Sequence, residues 1–305
     1  MSASLNGTNG ITFPDSTTML TAQSLGTRNI LINGGFTINQ RVYVSAAALA
    51  SGVYGHDRWK AGASGGDYSF TQLNSPTTIT IAASKSIIQV VENVNVAFTS
   101  YVLSWTGTAV ARYAVNSATP SGTFAVSPIL ITGQTVGTTM SVEFTGANAV
   151  GTSAVASNTG TLGNVQLEYA VTTAVATPFE FRPFSIEDML CKRYYENSCP
   201  VGTTPNTTAS ATTHSILSTS VATGSYYFET TFKVQKRAVP TVATWPYTTP
   251  SANAVWSNNV GTDYGAASAT PVATTSGFIL TNSFGSALAI TATAMIGGWS
   301  ASCEL

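Results

Sequence analysis

Charged side chains are scarce in this sequence. Lys and Arg number 12 and Asp and Glu 13 among 305 residues, so 8% of the chain is charged and the formal net charge is -1. Typical soluble proteins carry about 25% charged residues. Because no cluster of Lys or Arg is present to follow a phosphate backbone, the sequence argues against nucleic-acid binding.

Cysteine and histidine are also rare, with three and two copies. Cys191, Cys199 and Cys303 are too few and too irregularly spaced for a disulfide framework or a zinc site, so we expect free thiols. His56 and His214 are far apart in sequence, and neither lies beside a nucleophile motif. We therefore predict no metal, no cofactor and no catalytic residue.

Acidic residues form no obvious catalytic pair. The closest two, Glu187 and Asp188, are explained by the start of a helix. A glycosidase-like pair would have to form between carboxylates that are distant in sequence. We expect no enzymatic activity, and cleavage of a surface polysaccharide stays open as an alternative.

Long apolar runs are absent as well. No segment approaches the roughly 18 apolar residues that span a bilayer, because Ser, Gly or Thr interrupts each one. The first ten residues are polar and lack the basic and apolar regions of a signal peptide. We expect a protein that is made in a cytoplasm and is not inserted into a membrane.

Strand patterns are what the sequence has in abundance. Tyr101, Leu103 and Trp105 alternate with residues of the opposite face, and residues 226–234 and 299–305 repeat the same period of two. Such segments, separated by Gly, Ser and Thr turns, predict an all-β fold. We expect a jelly-roll β-sandwich followed by a second β-sandwich domain.

One short helix is predicted between the two β bodies, at about residues 186–196. Ser185 is a suitable N-cap, and Asp188 completes a capping-box-like pair. Pro200 and Gly202 are expected to stop the helix. One stripe is apolar and must pack against another domain or another copy of the chain. It consists of Ile186, Met189, Leu190 and Tyr194.

These patterns divide the chain into four segments. Residues 1–28 are polar and rich in Asn-Gly turns, cannot form a core alone, and are expected to attach to other chains. Residues 29–184 form the jelly roll, residues 185–200 the helical linker and residues 201–305 the C-terminal β domain. Because the chain has too few charges to keep its apolar surface soluble as a monomer, we expect a permanent assembly that buries this surface between subunits.

A stretch of the C-terminal domain is the best candidate for ligand recognition. Sugars stack their apolar faces on Trp and Tyr while their hydroxyl groups bond to Asn, Ser and Thr. Large aromatic residues also fill cores and trimer axes, and this structural interpretation stays open. The candidate ligand-binding residues are Trp245, Tyr247, Trp256, Asn258 and Tyr264.

The string Asp57-Arg58-Trp59 has two interpretations. It fits an aromatic platform for a sugar. It fits better an arginine that stacks on or near the tryptophan and closes the edge of the sandwich.

Three groups of residues resemble bacteriophage tail-fibre-like virion proteins. The opening residues 4–15 (SLNGTNGITFPD) are similar to an N-terminal segment common in that family. The chain resembles the start and end of that family's carbohydrate-binding-module-like jelly roll at residues 29–36 (NILINGGF) with Gln40-Arg41, 57–59 (DRW), 164–168 (NVQLE) and 178–180 (PFE). It resembles the family's C-terminal β domain at residues 190–195 (LCKRYY), 237–241 (RAVPT) and 303–305 (CEL).

The resemblance implies a virion structural protein that forms a homotrimer. We therefore expect a structural and adhesive protein of a tailed bacteriophage, of the tail-fibre or receptor-binding type, located in the virion after synthesis in the host cytoplasm. Residues 1–28 would bind other virion proteins, and the outer domains would contact host surface polysaccharide. A head fibre or capsid decoration protein is the first alternative, and a polysaccharide depolymerase is the second.

One position departs from the family pattern. Gly35 stands where the family often has an acidic residue after the first Asn-Gly. This speaks against the structural calcium site of related carbohydrate-binding jelly rolls.

Overall fold

The computed structural model describes residues 28–71, 76–170, 175–207, 229–246, 271–280 and 297–305 in full, and the backbone alone of several strands outside these ranges. Apart from Arg28, the predicted attachment segment 1–28 is described only by the backbone of an antiparallel three-stranded sheet. Its strands are β1 (Ser4–Asn6), β2 (Gly10–Thr12) and β3 (Thr18–Met19).

The first β body is a sandwich of two five-stranded antiparallel sheets, as predicted. Its strands are β4 (Lys60–Ala61), β5 (Tyr68–Ser69), β6 (Ile79–Ile81), β7 (Ser86–Val91), β8 (Tyr101–Thr106), β9 (Val110–Ala114), β10 (Ser121–Ala125), β11 (Ile129–Ile131), β12 (Met140–Thr145) and β13 (Gly160–Tyr169). One sheet has the order β10-β9-β12-β7-β4 and the other β11-β8-β13-β6-β5. The chain crosses between the sheets after β4, β6, β7, β8, β10, β11 and β12, and this repeated crossing is the connectivity of a jelly roll.

Side chains from the inner faces of both sheets form the core. Tyr101, Leu103 and Trp105 all belong to this core, whereas Val102, which is equally buried, lies outside it, so the three alternate residues share the inner face as predicted. Trp59 is fully buried, packs edge-on against Phe144 with ring centroids 5.9 Å apart, and donates its indole N–H to a backbone carbonyl. Truncating a buried tryptophan to alanine typically costs about 3–5 kcal/mol.

Before β4, the chain from residue 28 to residue 59 forms no regular strand, and buried side chains satisfy its backbone instead. Asn29 donates its amide to the carbonyl of Val165 at 2.9 Å and accepts the backbone N–H groups of Leu31 and Leu167 at 3.0 and 2.9 Å. These amides replace a missing sheet partner. The side-chain amides of Asn33 and Gln89 form hydrogen bonds with nearby backbone groups in the same way.

Gly34 brings this irregular segment into close contact with β13. The N–H of Val165 donates to the carbonyl of Gly34 at 2.9 Å. A Cβ atom built on Gly34 would lie 2.0 Å from the carbonyl oxygen of Val165. Only glycine fits this approach, which gives the Asn-Gly-Gly string a physical reason.

One α-helix, α1 (Phe184–Lys192), follows the jelly roll, and it begins earlier than predicted. Pro183 is the N-cap, and its carbonyl accepts the N–H groups of Ile186 and Glu187 at 3.0 and 3.2 Å. The prediction that Ser185 caps the helix is therefore wrong. The two acidic side chains form ion pairs instead of a capping box: Glu187 pairs with Arg182, and Asp188 pairs with Lys192.

The helix also ends earlier than predicted, because the residues after it join a sheet. β14 (Tyr195–Asn197) pairs with the last strand, β22 (Ala294–Ser302), and places Glu196 opposite Ala301. Residues 195 and 196 are thus strand rather than helix, and Pro200 and Gly202 do not terminate α1. In the part of the chain that the structure describes, no helix has the length and apolar character needed to span a bilayer.

The second β body is also a sandwich, which confirms the predicted fold class. Its remaining strands are β15 (His214–Leu217), β16 (Ser225–Thr231), β17 (Thr241–Pro246), β18 (Ala254–Asn258), β19 (Asp263–Gly265), β20 (Ala269–Ala273) and β21 (Gly277–Ser283). One sheet is built on β22, which pairs with β14, β15, β17 and β18, and the other has the order β16-β21-β20. Phe278 of β21 packs against Trp299 of β22 with ring centroids 5.5 Å apart, so the two sheets face each other.

Gly34→Ala is expected to destabilise the jelly roll more than Gly35→Ala. The new methyl group of the first variant would lie 2.0 Å from a strand carbonyl, whereas at Gly35 the nearest atom is Cβ of Pro76 at 3.2 Å. We expect Gly34→Ala to lower the free energy of unfolding by about 1–3 kcal/mol in urea denaturation, and Gly35→Ala by less. Equal losses in the two variants would contradict the close approach.

Candidate functional site

The residues predicted to bind a ligand lie in the second sandwich, and one of them has a described side chain. Trp245 lies in β17 and is 3% exposed. Trp256 and Tyr264 stand opposite each other in β18 and β19, and Asn258 is the last residue of β18. The side chains of these three residues, and the whole of Tyr247, lie outside the described residues. Their role in binding stays a prediction.

Trp245 packs against the backbone of the neighbouring strand. The register places it opposite Gly298 of β22, where an added Cβ atom would lie 2.3 Å from the indole nitrogen. With 3% of its surface exposed, the ring presents almost no face to a sugar. Its environment matches the structural interpretation of this tryptophan.

A buried group of charged and aromatic side chains joins the jelly roll, the helix and the end of β22. Arg58, 1% exposed, forms an ion pair with the carboxylate of Glu304 and donates to the carbonyl of Val90 at 2.6 Å. Its guanidinium carbon lies 3.6 Å from the ring centroid of Tyr194. We call this group the Arg58 cluster, consisting of Arg41, Asp57, Arg58, Tyr194 and Glu304.

Arg41 is the second cation of the Arg58 cluster. Its Nη2 lies 3.0 Å from Glu304 and its Nη1 lies 3.4 Å from Asp57. The guanidinium also covers the ring of Tyr195 at 3.7 Å. Two cations therefore face two carboxylates, and this balance of charge makes the full burial of Arg58 and Asp57 and the partial burial of Arg41 and Glu304 tolerable.

The main-chain oxygen of Leu305 extends the same junction. It accepts the hydroxyl of Tyr54 at 2.5 Å and the ammonium of Lys60 at 2.7 Å. Both donors belong to the jelly roll, so the segment after β22 is bound to the first sandwich at two successive residues.

Asp57 is fully buried within the Arg58 cluster. Its carboxylate accepts the backbone N–H of Gln40 at 2.7 Å and the side-chain amide of Gln40 at 3.0 Å. Burial raises the pKa of Asp57 to about 6, against the opposing influence of the Arg41 charge and these hydrogen bonds. Asp57 thus changes charge near neutral pH.

Glu92 fastens the end of the helix to the jelly roll. It accepts the Tyr194 hydroxyl at 2.7 Å and two N–H groups of Arg193 at 3.0 and 2.9 Å. Burial alone would raise the pKa of Glu92, but the hydrogen bonds from Arg193 and Tyr194 outweigh it and the pKa is lowered.

Lys236 fastens the helix end to the second sandwich. Its fully buried ammonium lies 2.5 Å from the carboxylate of Glu196 and 2.5 Å from the carbonyl of Lys192. It also lies 4.7 Å from the ring centroid of Phe232, which belongs to the aromatic core of that sandwich. The helix end is therefore bound on both sides.

These groups bind the fold together, and the geometry corrects one prediction. Arg58 stacks on Tyr194, not on or near Trp59, whose ring lies in the jelly-roll core. The sequence signal was present in the basic and aromatic string before β14 and in the acidic residue near the chain end, but Arg58 and its ion-pair partner Glu304 are 246 residues apart. Their pairing could not be predicted from local pattern.

Of the two histidines, His56 has a described side chain, and its surroundings are those of a structural residue. His56 is fully buried, its Nδ1 lies 2.8 Å from the hydroxyl of Tyr68, and its ring lies edge-on to Phe70 at 4.5 Å. Among these residues, no group of three or more His, Cys, Asp or Glu could hold a metal ion.

The predicted apolar stripe of the helix is divided between two faces. Leu190 and Tyr194 pack inward, in a cluster with Ile32, Ile38, Cys191 and Leu305. Ile186 and Met189 point outward and are 45% and 58% exposed. Phe181 and Phe184 add further exposed apolar area at 62% and 42%. We call the outward set the helix face, consisting of Phe181, Phe184, Ile186 and Met189.

A cavity of about 240 Å³ adjoins the helix face. It lies between the irregular segment of the jelly roll, the start of α1 and the residues after β14. Its lining is mixed, with apolar side chains beside amides and the Asp188–Lys192 ion pair. The apolar residues of its wall are Ile38, Val42, Phe184, Pro200 and Val201.

No protein-family description and no curated protein matches this chain. Among solved structures, the enzymatically active domain of tailspike protein 4 of bacteriophage CBA120 is 12% identical over 51% of this chain, with a TM-score of 0.27, and the match spans 24% of that longer chain. Wild-type discoidin II from Dictyostelium discoideum is 8% identical, with 92% of each chain covered and a TM-score of 0.20. Both scores are too low to carry an argument, so the architecture rests on the strand order given above.

Glu304→Gln is expected to destabilise the protein by about 3–5 kcal/mol, because Arg58 would be left buried without its anion. Calorimetry should then resolve separate transitions for the two sandwiches. The matched control is Lys85→Gln, which removes the partly exposed pair between Lys85 and Asp67 and should cost about 1 kcal/mol or less. A loss at Glu304 no larger than the control would show that the Arg58 cluster does not couple the sandwiches.

The pH dependence of stability should have two limbs of opposite sign. The pKa of Asp57 is raised from 3.8 to about 6 in the folded protein, so the folded state takes up this proton more readily than the unfolded chain. Its contribution therefore increases stability as the pH falls from above 6 towards 4. The pKa of Glu92 is lowered from 4.5, so its contribution is present above that pH and is lost as the pH falls below it.

Two variants separate these limbs in urea denaturation at pH values between 3 and 8. Asp57→Asn should flatten the slope of unfolding free energy between about pH 4.5 and 7, whatever its effect on absolute stability. Glu92→Gln should flatten the acid limb below about pH 4.5 and leave the upper limb in place. A slope that neither variant changes would contradict the assignments.

Proposed function

We propose that this chain is a structural and adhesive protein of a bacteriophage virion, of the tail-fibre or receptor-binding type. It acts without catalysis, assembles as a homotrimer and contacts host surface glycans. The assignment to a virion is supported by the residues that resemble phage fibre proteins in the attachment segment, the jelly roll and the chain end.

The observation that carries the proposal is the exposed helix face on a body whose parts are bound together by buried charges. Its four large apolar side chains are 42–62% exposed and all fall between residues 181 and 189. Exposed apolar groups of this size, concentrated in one short segment, are typical of protein interfaces. With only 8% charged residues, the chain has few groups that would keep such a surface monomeric.

The helix face and the cavity beside it support a ring-shaped assembly. Ile186 and Met189 project from the helix, whereas the cavity of about 240 Å³ is a recess on the same copy. A projection of one copy can fill the recess of another, and head-to-tail contacts of this kind close into a ring when the rotation between copies allows it. Three copies would close such a ring, as the family resemblance implies.

The two ends of the trimer would have different partners. Residues 1–28 would attach it to other virion proteins, since a short polar segment gains order by pairing with neighbouring chains. The second sandwich would present Tyr247, Trp256, Asn258 and Tyr264 to host glycans. Three copies of a weak site raise the overall affinity by avidity without any new contact.

Replacing Ile186 and Met189 together by Asp should dissociate the trimer into folded monomers. Both side chains are exposed, so the new charges cost little within one copy but are costly inside an apolar interface. Sedimentation at micromolar concentration measures the outcome, with circular dichroism to verify folding. The control is Val44→Asp, which alters a 65% exposed apolar residue of the jelly roll and should leave the trimer intact.

Two results would refute the trimer proposal. A wild-type protein that sediments as a monomer would remove the assembly itself. A double variant that still sediments as a trimer would remove the helix face as its interface.

The absence of catalysis is tested by incubating the wild-type protein with capsular polysaccharide and lipopolysaccharide from a bacterium that the virion infects. We expect retention of the glycan on the protein without any shortening of its chains. Release of shortened oligosaccharides, measured by size-exclusion chromatography, would overturn the non-enzymatic part of the proposal.

A further inference from the structure

We propose that the jelly roll carries a glycan-binding subsite of its own, built on the aromatic pair Phe98 and Tyr169, and that its ligand is an uncharged sugar ring. The subsite lies where the loop before β8 meets the end of β13. The inference rests on the adhesive function proposed above and places a second sugar contact on the first sandwich.

The aromatic pair forms a ready platform. The ring centroids of Phe98 and Tyr169 lie 4.0 Å apart with 31° between the ring planes. The two residues are 44% and 49% exposed, so about half of each side chain faces solvent. At 4.0 Å the two rings stack on each other and each covers one face of its partner, so a sugar could stack its apolar C–H groups on an outer face.

The backbone around the pair is fixed before any ligand arrives. The N–H of Phe98 donates to the hydroxyl of the fully buried Tyr101 at 2.9 Å. The neighbouring carbonyls of Thr99 and Ser100 accept N–H groups of Gln134 and Ala170, both at 3.1 Å. A platform held on both sides loses little conformational entropy on binding, which favours affinity for a small ligand.

Exposed polar residues of the loop that carries Phe98 suit hydroxyl groups. Asn93, Asn95 and Thr99 are exposed, and their side chains make no hydrogen bond to any residue that the structure describes. Amides supply both donors and acceptors, and the threonine hydroxyl supplies both as well. A sugar that stacks on the rings could therefore bond its hydroxyl groups at the rim.

The charge around the platform selects the class of ligand. Residues 93–101 and 129–140 contain no Lys, Arg, Asp or Glu. The nearest acidic residues in the sequence are engaged elsewhere, Glu92 with Arg193 and Glu168 with Thr177. The cations linked to these residues are already paired, Arg28 with Glu168 at 3.9 Å and Arg193 with Glu92 at 2.9 Å, so an uncharged hexose or N-acetylhexosamine fits better than a phosphate or an acidic sugar.

A protein partner is the competing occupant of this surface. Val94 and Val136 are 66% and 53% exposed and would suit an apolar protein contact. Against it, amides alternate with the valines along residues 93–96, and a protein interface would leave these amides to be desolvated without assigned partners. The observations therefore favour the sugar, and the test separates the two.

The experiment compares full-length wild type with Phe98→Ala and Tyr169→Ala on an array of purified bacterial capsular polysaccharides and lipopolysaccharides, with free galactose and N-acetylglucosamine as competitors. Each Ala variant should bind about tenfold more weakly, the equivalent of roughly 1.4 kcal/mol, because the stacking face is lost. Tyr169→Phe keeps the ring and should bind like wild type. Val126→Ala, at a 60% exposed apolar residue of another loop, is the matched control.

Each outcome decides the inference. If wild type binds an array glycan and both Ala variants bind it equally well, the subsite is refuted while the adhesive function stands. If wild type binds no array glycan, both the subsite and the adhesive part of the proposed function are overturned. If the Ala variants change the sedimentation of the protein but not its glycan binding, the surface is a protein contact and the subsite is refuted.

Discussion

The buried guanidinium of Arg58 is the constraint on which the rest of the molecule depends. An arginine that is 1% exposed is tolerated only where its charge and its N–H groups find partners. Those partners are the carboxylate of Glu304, the carbonyl of Val90 and the ring of Tyr194, which come from the chain end, a jelly-roll strand and the residue just beyond α1. Its φ of +71° is rare for a residue other than glycine and is held by the same contacts. The two sandwiches and the helix must therefore dock for any of these groups to be stable.

The same contacts decide which side of the helix meets solvent. Tyr194 is fixed on the jelly roll, and Leu190 packs beside it in one small core. With 3.6 residues per turn, Met189 lies about 200° around the helix from the buried Glu187 and Cys191 and faces away from the fold. Ile186 lies one turn before Leu190 on the same stripe and is nevertheless 45% exposed. The scaffold thus creates the apolar surface that an assembly would cover.

Sequence patterns predict the parts of this fold that depend on neighbouring residues. The period of two that includes Trp105 is visible locally and was sufficient for the strand. The helix could be expected too, but Ser185 does not cap it. Pro183 is the N-cap, and Glu187 forms an ion pair with Arg182. The irregular segment after Asn29 could not be predicted, because its backbone partners are side chains and strands far along the sequence. The Arg58 cluster, with partners 246 residues apart, is the extreme case.

Several of the residues that carry the resemblance to phage fibre proteins are interior ones, and this limits what they can say about recognition. Trp59 lies in the jelly-roll core, and Tyr194 and Glu304 lie in the Arg58 cluster. Residues that satisfy one another inside the fold identify a scaffold, whereas a receptor is selected by surface groups. Phe98 and Tyr169 illustrate the difference: neither lies in an aromatic-rich stretch, and they meet only because β8 and β13 are neighbours in one sheet. A platform made by strand pairing can be recognised only when the pairing is known, which is why local composition pointed to the second sandwich alone.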